Sequence, residues 1–116
     1  MATFSFTVQS YSVWLGPALG FGTLNIEYPA FIICWGDKKF RCTFRFVERE
    51  ELPESAYDPT AGSANVFVHA AHYPWYIDIL RNERPVQCVV DTSRPQHSRL
   101  TTGMEPTGEA EQVIRA

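Results

Sequence analysis

The feature that most constrains this chain is a strict two-residue alternation in residues 31–47, FIICWGDKKFRCTFRFV. In its second half Phe40, Cys42, Phe44 and Phe46 share one parity, and Lys39, Arg41, Thr43 and Arg45 share the other. Successive side chains of a strand point to opposite faces, so the pattern predicts a strand with one buried and one wet face. Residues 31–35 are apolar at both parities and read as an internal strand. Residues 36–39 supply the turn between the two. A three-residue loop at 37–39 sets Cys34 opposite Cys42, a two- or four-residue loop does not, and parity leaves that register open. Two buried thiols rather than a disulfide are expected of such a pair in a reducing compartment.

The same alternation opens the chain, where Phe4, Phe6 and Val8 oppose Ser5, Thr7 and Gln9. The phase then slips, because Tyr11, Val13 and Leu15 continue the apolar series on odd numbers. Keeping one face buried requires a bulge or bend near Gln9 and Ser10, and a strand bent there can serve two sheets. Trp14, between inward Val13 and Leu15, is expected to point outward. The glycines of residues 16–22 read as a connecting loop. Their spacing matches neither phosphate-binding motif, and a strand follows in which Leu24, Ile26 and Tyr28 alternate with Asn25 and Glu27.

Residues 48–64 turn acidic and proline-containing and read as the longest loop, either a crossover or a binding loop. Glu50, Glu51, Glu54 and Asp58 in it do not follow the calcium-loop spacing. Residues 65–71 read as a strand. Residues 73–91, YPWYIDILRNERPVQCVVD, read as a central hairpin about a polar turn at 81–84. In that reading Trp75, Ile77 and Ile79 face one way, and Tyr76 and Asp78 face the other. The competing reading is a short helix at 74–81, with Pro74 as its first residue and Asn82 as its terminator. The isoleucines and aromatics favour the strand. Residues 99–102 form a further short strand, and the segment 109–116 is expected to fray beyond a single domain at 1–108.

The fold class that follows is all-β, an antiparallel β-sandwich of about seven or eight strands. A partly open barrel, or an α+β fold with one helix at 74–81, is the alternative. With 116 residues, 45% hydrophobic and 14% aromatic, the chain can build a core without staples. A net charge of -3 and a pI near 5.5 argue against nucleic acid as a partner. No stretch reaches the roughly 18 uninterrupted apolar residues of a membrane helix, so no membrane association is expected. Three cysteines and a start without a signal-peptide pattern point to a soluble, cytoplasmic protein with reduced thiols.

Chemistry is sparse. His69 and His72 have the H-x-x-H spacing, which shares a face on a helix but not on a strand, so no metal site is expected of them. Cys88 lies among Val86, Val89 and Val90, where a thiol is buried and inert. Asp78, between two isoleucines, is expected to face water or to pair with Arg81 or Arg84. No catalytic motif and no cofactor signature stands out. What remains is recognition by outward Trp14 and Tyr76 together with Arg41 and Arg45 of the basic stripe. The expected function is a non-catalytic binding or assembly module for a protein partner or for self-association as a homo-oligomer, with carbohydrate as a second ligand class. A small β-fold enzyme or metal protein using His69, His72, Cys88 or Asp78 is the alternative.

Overall fold

The computed structural model describes residues 3–20, 27–37 and 39–102. Eight strands are present among them: β1 (Thr3–Thr7), β2 (Ser10–Gly20), β3 (Glu27–Trp35), β4 (Arg41–Val47), β5 (Ala56–Asp58), β6 (Ser63–His69), β7 (Gln87–Asp91) and β8 (Arg99–Thr101). One helix, α1 (Tyr73–Asn82), joins β6 to β7 after a short 3-10 turn. The strands form a three-stranded sheet in the order β1-β7-β8 and a five-stranded sheet in the order β2-β3-β4-β6-β5, and neither closes into a barrel. All pairings are antiparallel except β4 with β6.

The slip of phase at Gln9 and Ser10 is where the chain changes sheets. Phe6 pairs with Cys88 in the small sheet, and Tyr11 pairs with Cys34 in the large one. Val8 and Gln9 bridge the two by donating their backbone N–H groups to Val86 and Trp35 carbonyls. The expected bend and the shared service of two sheets are both present. Residues 16–20 differ from the connecting loop expected of them: β2 continues to Gly20, with a register shift between Leu15 and Leu19. Leu24 and Ile26 of the expected following strand, and the C-terminal segment 109–116, lie outside the described residues.

The turn after β3 is the three-residue one. Gly36 and Phe40 close it by an N–H to carbonyl bond of 2.9 Å, and Cys34 stands opposite Cys42. Lys39 takes φ 74°, the left-handed conformation that a tight turn demands. Gly36 is needed for a different reason, since a Cβ there would collide with the Phe6 ring from the small sheet. The acidic segment is shorter as a loop than 48–64, because β5 and the start of β6 lie inside it. Asp58 shapes the connection between them, accepting the Thr60 and Ala61 N–H groups at 3.0 and 3.3 Å.

The expected hairpin at 73–91 is half wrong. Residues 87–91 are a strand, central in the small sheet, but Tyr73–Asn82 is a helix with Pro74 in its first turn. Proline's fixed φ and missing N–H suit that position, and the helical spacing of Tyr73, Tyr76, Ile77 and Leu80 gives one face to the core. Tertiary packing decided against the β-branched preference: Tyr73 and Tyr76 meet Phe46 edge-on at 5.2 and 5.1 Å, and Tyr76 meets Phe44 at 5.0 Å. The helix and the small sheet thereby cover one face of the large sheet. Between all three lies a core of Ile32, Cys34, Cys42, Phe44, Phe46, Val66, Cys88 and Val90.

Candidate functional site

The large sheet has a second face, and its composition follows from register. Residues of opposite parity to the core line up in rows across the strands: Ser10, Trp35, Arg41 and Ser63 in one, Ser12, Ile33, Thr43 and Asn65 in the next, and Trp14, Phe31, Arg45 and Phe67 in the third. Cross-strand neighbours on one face come within contact distance, and the first and third rows each set an arginine beside a ring, while Thr43, Ser63 and Phe67 of these rows are buried. The Arg41 guanidinium lies 5.4 Å over Trp35 and that of Arg45 lies 5.2 Å over Phe31. Trp14 in turn stacks on Phe31 at 5.6 Å with a 14° interplanar angle. Arg45 Nε also donates to Asn65 Oδ1 at 3.0 Å, which holds the guanidinium flat against the sheet.

Of the four residues expected to bind, Trp14, Arg41 and Arg45 share this outer face. Trp14 is 54% exposed and stands on the face opposite Val13 and Leu15, as alternation predicts. Tyr76 does not belong with them. Its half-buried ring packs inward on Phe44 and Phe46, and burial pushes its hydroxyl pKa up to about 12. The strand reading turned it outward, and the helix turns it inward and sends Trp75 out instead, 68% exposed and stacked on His72 at 4.9 Å. Val13 and Leu15 were expected inside. Their parity is that of the core, yet they are 38% and 68% exposed, because the covering layers stop short of the β2 edge.

The residues of the enzyme or metal alternative lie apart. His69 and His72 do approach, with ring centroids 6.2 Å apart, since the 3-10 turn after β6 brings together what a continued strand separates. Among the described residues, however, no group of three or more His, Cys, Asp or Glu side chains is arranged to hold a metal ion. Cys34, Cys42 and Cys88 are free thiols at zero exposure. Burial pushes Cys34 and Cys42 well above the ordinary thiol range, and for Cys42 a hydrogen bond to Cys88 adds to the effect. Asp78 is exposed on α1 and accepts from Asn82 Nδ2 at 2.6 Å instead of pairing with an arginine.

One carboxylate is built into the structure. Asp91, at the end of β7, accepts the Arg94 and Ser93 N–H groups at 2.9 and 3.0 Å, and these bonds hold it below the ordinary carboxylate range. Ser98 Oγ accepts the Asp91 N–H, so the carboxylate organises the loop before β8.

The partners that give the arginines their platform, Phe31 and Trp35, were hidden in the sequence. Both stand in a run apolar at every position, and only the loop length, through register, assigns them to the outer face. No protein-family model, curated protein or solved structure matches the chain.

Proposed function

We propose that this chain is a non-catalytic binding module of β-sandwich type, which docks an acidic segment of a partner protein on the outer face of the large sheet. The observation that carries this reading is the pair of guanidiniums laid over rings, Arg41 on Trp35 and Arg45 on Phe31, beside half-exposed Trp14. Arginine and tryptophan dominate protein contact energetics, and a planar guanidinium ordered over a ring meets a carboxylate at reduced entropic cost. A cationic face on a chain of net charge -3 is a local feature that favours an acidic partner over bulk attraction. Three free, fully buried thiols support a cytoplasmic, reducing setting.

The test is a titration with a synthetic peptide of alternating glutamate and tyrosine, followed by tryptophan fluorescence. Saturable binding should weaken by about tenfold or more in Arg45→Ala and weaken again as salt is raised. No saturable signal, or binding that Arg41→Ala and Arg45→Ala leave unchanged, would overturn the reading. A preference for an uncharged oligosaccharide over the peptide would transfer it to carbohydrate.

A further inference from the structure

We infer that two copies of this chain pair edge to edge through β2, antiparallel about a two-fold axis at Trp14, joining their large sheets into one. β2 is the outermost strand of its sheet, and among the described residues no strand pairs with its other side. Such an edge presents a row of N–H and C=O groups that an extended backbone satisfies, which narrows the occupant to polypeptide.

The other outermost strands carry the features that blunt an edge. β5 and β8 are three residues long and bear Asp58 and Arg99, and β1 exposes Thr3, Ser5 and Thr7. β2 has eleven residues and no charged one; Pro17 and the register shift after Leu15 interrupt its far end, so the stretch open to pairing is Ser12 to Gly16. Val13, Trp14 and Leu15 follow one another at 38%, 54% and 68% exposure, so the edge is apolar on both faces of the sheet.

The occupant is set by the strand's own symmetry and by charge. Read about Trp14, the run SVWLG is nearly palindromic. An antiparallel copy places Ser12 against Gly16, Val13 against Leu15, and Trp14 against Trp14. Branched side chains then meet on one face and indoles on the other, with Ser12 and Gly16 beside the indoles. A charged strand would find no counter-charge on β2, whereas a second β2 matches an uncharged edge with an uncharged edge. A two-fold axis passes through either kind of antiparallel pair, so the arrangement holds whichever β2 residues bond to β3. The rows of Trp14, Phe31 and Arg45 from the two copies then run into one another.

This pairing uses the strand edge and not the guanidiniums, so it stands or falls apart from the acidic-partner reading. The 116-residue chain should show twice its 13.2 kDa mass in size-exclusion chromatography with light scattering. Leu15→Lys, which places a charge on the edge, should weaken the dimer by at least about tenfold while leaving the far-ultraviolet circular dichroism unchanged. The native cysteines are fully buried, so an introduced thiol reports alone. Facing residues in an antiparallel pair have Cα atoms about 4.5–5.5 Å apart, within disulfide range. Trp14→Cys should therefore cross-link to itself under mild oxidation. Ser12→Cys should not, but should cross-link when mixed with Gly16→Cys. A monomer mass at high micromolar concentration, a dimer indifferent to Leu15→Lys, or equal self-cross-linking by Ser12→Cys and Trp14→Cys would overturn the inference.

Discussion

The two faces of the large sheet are built by alternate residues of the same strands, and they differ in what covers them. On β4, Cys42, Phe44 and Phe46 are at zero exposure beneath α1 and the small sheet. Their neighbours Arg41 and Arg45 lie half-buried on the other side, over Trp35 and Phe31. An inner ring is covered on all sides, so its loss leaves a cavity. An outer guanidinium over a ring stays in reach of water, where the same contact is worth little to folding. The comparison teaches that one strand can spend one parity on stability and the other on recognition.

The largest test of that division is Phe44→Ala. It should cost about 3–5 kcal/mol by chemical denaturation, the range for emptying a buried aromatic site. A cost below about 1 kcal/mol would mean that the inner face is loosely packed, and the contrast would fail.

A subtler test is alkaline pH. The Tyr76 phenol is raised from 10.0 to about 12 in the folded protein, so folding favours its protonated form. Its contribution to stability is complete below the unfolded value and is lost as pH rises through the folded one. Thermal melts should therefore show a fall in Tm between about pH 10 and 12. Tyr76→Phe, which keeps the ring against Phe44 and Phe46 and removes the proton, should show a smaller fall. Identical profiles would place Tyr76 outside the core.

The smallest expected effect is the most telling. Arg41→Ala should change stability by less than about 1 kcal/mol, since a cation over a ring at the outer face of the sheet is weakly stabilising. A loss as large as that of Phe44→Ala would make the outer face structural and remove the ground for a binding role.

Much of this arrangement was legible in the residues themselves. Alternation at 39–47 marks β4 and which residues share a face, but not that Thr43 on the expected wet face is buried. The phase slip at Gln9 and Ser10 marks the change of sheet, because a period of two cannot shift by one residue without turning the buried face outward. Trp14 follows from its neighbours. Residues 73–82 were not legible, since Trp75, Ile77 and Ile79 alternate as a strand does while Tyr73, Tyr76, Ile77 and Leu80 repeat as a helix does. A short segment carrying both periods has no local resolution. The site was half visible: Arg41 and Arg45 were readable as a stripe, whereas Phe31, Trp35 and the outward Trp75 depended on register and on helical phase.

What the sequence alone determined is therefore local: which residues alternate, where the phase breaks, and which turn chemistry stands between strands. Those are properties of side-chain spacing along one segment. Only the tertiary structure decided that Cys34 faces Cys42, that Tyr76 turns in and Trp75 out, and that Val13 and Leu15, though of core parity, lie beyond the covering layers. Each of these depends on what another segment places opposite. Burial belongs to a pair of surfaces, and a single strand's pattern specifies only one of them.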